Sequence, residues 1–396
     1  MARSDPRRDR AIVERLSRWF ADHARDLPWR ATGTDGRRDP YRALVSEVML
    51  QQTQVARVQE RYGSFLARFP TVEHLARARE QSVLAAWSGL GYYRRARALH
   101  AAAKEIVREH RGRVPDEPAD LRRLPGVGRY TAGAVASLVF GQAEPIVDGN
   151  VARVLTRLDG MGADASAPNS GVAVWDRAGA LVERAAQSAG ATVERFNEGL
   201  MELGATVCTP RSPRCCACPL ASLCRFRREN THGRDARATV SETGRDALTT
   251  VSETGRDARA TVSETGRDAR TTVRGHGRSA RVPVVLVFDT VIVEDGRGRR
   301  LVERRGEGGI WAGLWQPPTL ETRHRAPRLA TVQAWAGGPV ERVGAFERLL
   351  THRRVRFRVW RGVSAPAEGD RAAYRTRRQI GRLALSSPHR RILLEM

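Results

Sequence analysis

The sequence predicts a multidomain chain in which an all-α domain is followed by an α+β domain. Residues 1–230 place apolar side chains at helical spacing, as in Leu44, Val45, Val48, Met49 and again in Val151, Val154, Leu155, Leu158, with no strand-like alternation. From Pro283 the period changes to two. Between the two patterns, residues 233–276 hold four copies of an 11-residue unit starting at Gly233, Gly244, Gly255 and Gly266. The chain of 396 residues also exceeds the roughly 100 to 200 of one typical domain. With 41% hydrophobic and 28% charged residues it can bury a core. The domains are expected at 1–230 and 281–396, joined by a linker at 231–280.

Each segment follows from local chemistry. Leu124-Pro125-Gly126-Val127-Gly128-Arg129-Tyr130 reads as a tight turn between helices: proline stops the first helix, two glycines admit conformations other residues avoid, and a second helix starts at once. Free N–H groups of Gly126, Val127 and Gly128 then form an anion site at a helix start, although a plain helix connection uses the same residues. Asp148 stands ahead of a helix opening near Asn150 and Val151, where an N-cap carboxylate belongs. The repeats carry glycine, threonine and almost no large apolar residue, so they cannot offset their ordering entropy and read as a disordered linker. Val284–Phe288 and Thr290–Val293 are strand-like, with a turn at Asp295-Gly296. In Arg353–Trp360, Val355, Phe357 and Val359 point inward and Arg354, Arg356 and Arg358 outward.

Charge narrows the partner. The formal net charge is +24, with 36 basic against 26 acidic residues in 1–230 and 23 against 11 in 281–396. A surplus of this size suits a polyanion, with nucleic acid ahead of a membrane surface. No apolar run reaches the roughly 18 to 20 residues of a membrane helix, and a cytoplasmic, nucleoid-associated location is expected. Lys104 is the only lysine, within an ordinary exposed helix, so a Walker A loop and a lysine Schiff base are both excluded.

All five cysteines fall within 17 residues: Cys208, Cys215, Cys216, Cys218 and Cys224. Metal ligation accounts for this better than disulfides in a cytosolic protein. Cys208, Cys215, Cys218 and Cys224 form the ligand set with Cys216 spare, and their softness suits tetrahedral zinc and a 4Fe-4S cluster equally. Arg211, Arg214, Arg225, Arg227 and Arg228 interleave with them, offering charge to a phosphate backbone.

Ser46-Glu47-Val48-Met49-Leu50-Gln51-Gln52-Thr53-Gln54-Val55, Gly89-Leu90-Gly91-Tyr92-Tyr93, the Leu-Pro-Gly-Val-Gly hairpin, Val147-Asp148-Gly149-Asn150-Val151 and the cysteine spacing occur in this order. Together they resemble the adenine DNA glycosylase family (MutY type) of the helix-hairpin-helix superfamily, closely over residues 10–228 and more loosely over 283–390. The resemblance implies a 4Fe-4S cluster on the four cysteines and removal of adenine mispaired with 8-oxoguanine or guanine in duplex DNA, with the adenine flipped out and its N-glycosidic bond hydrolysed. It implies that Glu47 protonates adenine, that Asp148 stabilises or transiently bonds the sugar cation before water attacks, and that Asn150 and Tyr130 orient the site. It also implies that Trp29, Arg30 and Glu198 line the adenine pocket and that Gln52 and Tyr92 wedge into the base stack. The chemistry fits: departure of adenine needs an acid for the base and an anion beside the sugar. Glu47, mid-helix among apolar residues, is expected to hold its proton, and Asp148, at a helix start, its charge.

Relatives of the endonuclease III type carry a lysine after the hairpin that cleaves the strand; Tyr130 stands there instead, which predicts a monofunctional enzyme. Gly309-Ile310-Trp311-Ala312-Gly313-Leu314-Trp315-Gln316-Pro317-Pro318 is similar to the Nudix-like domain of this family, but the acidic residues after Trp315 are scattered as Glu321, Glu341 and Glu347, so no pyrophosphatase metal box exists. Leu350, Thr351 and His352 align with the family's Phe-Ser-His loop, and Thr351 and His352 are expected to contact the oxidised guanine. A monomer on duplex DNA is expected. The competing readings are a glycosylase of other base choice and a lesion-sensing DNA-binding protein without catalysis.

Overall fold

The computed structural model describes residues 5–161, 171–229, 284–350, 353–363 and 372–396; the 11-residue repeats and the linker around them lie outside the described residues. The first part is helical throughout: α1 Pro6–His23, α2 Pro40–Leu50, α3 Val55–Arg68, α4 Val72–Arg77, α5 Glu80–Ala86, α6 Tyr93–Glu109, α7 Pro118–Arg123, α8 Arg129–Phe140, α9 Gly149–Asp159, α10 Val172–Ala186 and α11 Val193–Thr206. Helix starts are locally encoded. Asp5 and Asp39 accept from backbone N–H groups of Arg7 and Arg42, each with a proline in the first helical turn.

Two apolar cores make two lobes. Leu44, Phe65, Leu75, Trp87 and Leu99, from α2 to α6, are fully buried in one. Leu16, Leu155, Leu181, Phe196 and Leu203 are buried in the other, so α1 packs with α9, α10 and α11. Each such side chain contributes roughly 1.5 to 3 kcal/mol before its ordering cost. The cleft between the lobes is where α2 faces the start of α9.

The second part comprises β1 Val284–Val293, β2 Arg300–Arg304, β3 Trp315–Gln316, β4 Thr319–Arg323, α12 Leu329–Ala336, β5 Val340–Leu350, β6 Arg353–Gly362, β7 Ala372–Arg375, α13 Arg377–Ile380 and α14 Ser387–Glu395. One sheet has the order β4-β1-β6-β5 and a second the order β3-β2-β7. β1 and β6 run parallel, and the remaining pairs are antiparallel.

Two strand expectations are corrected. The stretch from Val284 to Val293 is one continuous strand, with Asp289 fully buried in its middle. Arg358 does not face solvent: it donates to both Asp289 oxygens at 2.6 and 2.8 Å, and Trp360 Nε1 donates to the same carboxylate at 2.8 Å. The reason is register. On the outward face of β6, Arg358 stands in register beside the buried Asp289 of β1, whereas Arg354 and Arg356 on the same face have no such neighbour and stay partly exposed. Other arginines are likewise internal. Arg177 pairs with Asp9 and Asp159, so its charge is spent inside the fold and not on the basic surface.

The two parts touch. Leu314 and Ala384 are buried against the first helical core. Arg97 donates to Ala312 O at 2.7 Å, Gln81 to Gly313 O at 3.0 Å, and Ser88 and Tyr93 to Leu385 O at 3.1 and 2.6 Å.

Candidate active site

A cavity of about 1570 Å3 opens between the lobes and reaches the second part of the chain. Glu47 projects into it from α2, only 6% exposed, with Oε2 lacking a hydrogen-bond partner among the described residues. Burial, followed by the negative charge of Glu198, pushes its carboxyl up to about 7; Asp148 adds to this, while the Tyr130 hydroxyl and Arg38 pull the other way. The carboxyl therefore keeps its proton near neutrality. Tyr130, at the start of α8, is itself held well above the usual phenol range, by burial first and by Glu47 next. Its hydroxyl lies 3.2 Å from Met201 Sδ.

Asp148 caps α9 and lines the same cavity. Its Oδ1 accepts from Val151 N at 2.7 Å and its Oδ2 from Asn150 Nδ2 at 2.9 Å. Arg153 donates to Asn150 Oδ1 at 2.8 Å, which fixes the orientation of the amide. Room for this arrangement comes from Gly204 on α11. A Cβ there would stand 2.6 Å from Asn150 Cβ and 3.0 Å from its backbone, so only glycine lets α11 pass the start of α9.

Trp29 and Arg30 sit in a short 3-10 turn, Pro28–Arg30, at the cavity wall. Trp29 packs edge-on against Tyr62 at 5.7 Å between ring centres. Arg30 is spent on neighbours: it donates to Glu198 Oε1 at 2.8 Å, to Glu202 Oε2 at 2.9 Å and to Arg25 O at 2.8 Å. Arg38 takes the other Glu198 oxygen at 2.5 Å. Glu202 is fully buried; burial pushes its carboxyl up, yet Arg25 and Arg30 outweigh this and hold it below the usual range. Arg38 and Glu202 were not anticipated. Glu202 follows Glu198 by one helical turn on α11, and Arg38 directly precedes the Asp39-Pro40 cap of α2, which are the signals that would have found them.

Gln52 and Tyr92 line the mouth of the cavity. Both have left-handed backbones, with φ of 55° and 47°, and Tyr92 is 50% exposed. Arg95 fastens the two turns together. It donates to Val48 O and Met49 O at 2.8 Å each, to Thr53 Oγ1 at 2.8 Å and to Leu90 O at 3.2 Å.

The hairpin lies at the junction of α7 and α8. Gly126 has φ +79°, and a Cβ on it would stand 2.5 Å from Ala98 Cβ. Gly126 and Gly128 are exposed while the Val127 side chain is buried, so the backbone faces outward and α8 starts with no side-chain cap on its free N–H groups. Thr351 and His352 lie outside the described residues; Leu349, Leu350 and Arg353 beside them line the cavity.

Cys208, Cys215, Cys218 and Cys224 surround a separate cavity of about 30 Å3, while Cys216 is exposed. Burial pushes the Cys218 thiol up to about 11, and the charges of the other three cysteines act in the same direction. Arg157 donates to Cys208 Sγ at 3.4 Å, and Cys224 Sγ donates to Arg157 O at 3.4 Å. Among the described residues, no three Cys, His, Asp or Glu side chains are grouped as one metal ion requires. Four cysteines around a common hole offer the soft sulfur donors that thiolate-bound metal centres use. In the second part, Glu321 pairs with Arg305 and Glu347 with Arg356.

Residues 45–172 match the HhH-GPD superfamily of base excision DNA repair proteins, and residues 290–395 match the NUDIX domain. A helical lobe pair with a hairpin, followed by a Nudix domain, defines a base-excision DNA glycosylase. Among curated relatives, the adenine DNA glycosylase of Rattus norvegicus is 37% identical over 384 residues, covering 92% of this chain and 72% of that one. The human adenine DNA glycosylase is 48% identical over 216 residues, but the match spans 54% of this chain and 38% of the human protein. A thermostable thymine-DNA glycosylase of known structure superposes with a TM-score of 0.50 at 30% identity, covering 56% of this chain and 98% of that one. The chain belongs to the adenine DNA glycosylase family.

Proposed function

We propose that this chain hydrolyses the N-glycosidic bond of adenine opposite 8-oxoguanine or guanine in duplex DNA, after the adenine has swung out of the stack. One observation carries the reading: a buried, proton-holding carboxyl on Glu47 and a carboxylate on Asp148 with a donor on each oxygen enter the same cavity. A duplex base cannot reach such a cleft without extrusion. The Glu47 proton goes to a ring nitrogen of adenine, which lets the base leave with the bonding electron pair. Positive charge then develops on the sugar, and Asp148 supplies the compensating negative charge without reorganisation, because Val151 N and Asn150 already hold it. Water adds to the sugar carbon and its proton passes to Glu47 or solvent, which closes the cycle.

The Arg30, Arg38 and Glu198 set forms one wall of the base pocket, and the wedge residues Gln52 and Tyr92 fill space left in the stack. Outward N–H groups of the 126–128 hairpin take a phosphate. Cys208, Cys215, Cys218 and Cys224 would hold a 4Fe-4S cluster, which supplies a pin for the Cys loop and a one-electron couple. Strand cleavage through a Schiff base is not part of the reaction: Lys104, exposed on α6, is the single lysine. The second part, from about residue 281, reads the base opposite the adenine through Leu350, Thr351 and His352, and the protein acts as a monomer. The test is incubation with duplexes carrying A opposite 8-oxoguanine, G, C or T, followed by alkaline cleavage. Adenine release from A:8-oxoguanine and A:G is expected, and an intact A:8-oxoguanine strand overturns the reading. Borohydride trapping through a lysine overturns the monofunctional assignment.

A further inference from the structure

We infer that the carbonyl of Leu385 anchors the turn that carries Tyr92, so that docking of the second part of the chain on the first positions the wedge and tunes discrimination for the base opposite adenine. This rests on the proposed reading of Tyr92. Ser88 and Tyr93 bracket the Gly89-Leu90-Gly91-Tyr92 turn, and both hydroxyls donate to the one carbonyl, at 3.1 and 2.6 Å. Both donors are buried, at 4% and 7% exposure, and together they take both lone pairs of the oxygen.

The turn between these anchors is unusual backbone. Gly89 and Gly91 have φ of +100° and +70°, and Tyr92 follows at 47°, a region that a tyrosine leaves unless it is restrained. Restraint comes from both sides. Trp87 Nε1 donates to Gly91 O at 3.0 Å, and Arg95 ties Leu90 O to the carbonyls of Val48 and Met49, the residues that follow Glu47. Leu385 is equally well held in its own part, fully buried and bridged to Trp315, whose N–H donates to Ala384 O at 2.9 Å. Trp315 closes the 309–314 segment, whose Ile310 and Trp311 line the main cavity. Hydrogen bonds and the short chain segments between them thus connect the cavity wall at Ile310 and Trp311 with the wedge turn and with the helix of Glu47.

The double variant Ser88→Ala/Tyr93→Phe removes both donors while keeping the Tyr93 ring and the whole of Tyr92. Two measurements are made on the full chain: single-turnover adenine release from A:8-oxoguanine and A:G, and amide exchange of residues 89–92 without DNA. The expected result is a fall of about fivefold or more in the ratio of the two rates, the size of one lost buried hydrogen bond, with the A:G rate changed by less than about twofold and faster exchange in the turn. Tyr93→Phe alone, which keeps the Ser88 bond, should fall between. An unchanged ratio, an equal loss on both duplexes, or unchanged exchange overturns the anchoring role. If the wild-type chain releases adenine from neither duplex, the proposed function fails instead, and the exchange measurement still decides the anchor.

Discussion

Glu198 raises the proton affinity of Glu47 while its own two oxygens are tied down, Oε1 to Arg30 at 2.8 Å and Oε2 to Arg38 at 2.5 Å. A fixed negative charge beside a buried acid is how one carboxyl is kept protonated at the pH where another is ionised.

Glu47→Gln should lower adenine release by at least about 10²- to 10⁴-fold, the span of general-acid contributions, while duplex affinity is kept. In the wild type, release requires the protonated carboxyl, so the rate constant should be flat below, and fall above, a pH of about 7. Stability follows the same proton. A carboxyl whose folded value is raised binds more protons in the folded chain, so stability drops as pH rises from the ordinary carboxylate range through about 7. The Gln variant should therefore unfold later than wild type at pH 8, by up to about 3 kcal/mol, and show no such gain near pH 4, as read by urea melts.

Asp148→Asn separates charge from capping. Asparagine keeps the cap bond from Val151 N but sets an NH2 against the Asn150 NH2, so thermal melts should show a loss of about 1 kcal/mol, the size of one hydrogen bond. Single-turnover release should fall by about 10²-fold or more, because the sugar cation loses its counter-charge. A variant of wild-type rate would remove Asp148 from the mechanism.

Metal analysis of the purified chain should find about four irons with matching acid-labile sulfide and no stoichiometric zinc. Cys218→Ala should lose that iron together with its visible absorbance, whereas Cys216→Ala, at the exposed fifth cysteine, should keep both.

Asp289→Ala leaves Arg358 half-buried without its carboxylate and Trp360 without an acceptor. The expected cost is about 3 to 5 kcal/mol, measured by denaturant unfolding, well above that of Glu347→Ala in the exposed Arg356 pair, which should stay below about 1 kcal/mol.

Much of this was legible in the sequence where the signal is local. Asp148 at a helix start, the glycines of the 126–128 hairpin and the clustered cysteines are short-range patterns, and each reappears as local geometry. Gln52 and Tyr92 were legible as motif members, but their left-handed backbones were not. Arg38 escaped because arginine is common in this chain; its place before the Asp39-Pro40 cap marks a helix start, but the acid that buries it comes from α11. Arg358 was misread because alternation reports only that successive side chains take opposite faces. Whether one outward arginine meets water or an acid depends on the residue that the neighbouring strand sets in register beside it, and that strand comes from elsewhere in the chain.

Residue type and short spacing are enough to specify the succession of a helical part and a mixed part, the residues able to do acid, anion and thiolate chemistry, and the absence of a lysine nucleophile outside α6. That Glu47 and Asp148 share one cavity, that two arginines grip Glu198, and that Leu385 meets Ser88 and Tyr93 emerges from the packing of distant segments. The physical reason is that proton affinity is set by burial and by charges brought from distant segments, and those distances exist only once the two lobes and the sheet have packed.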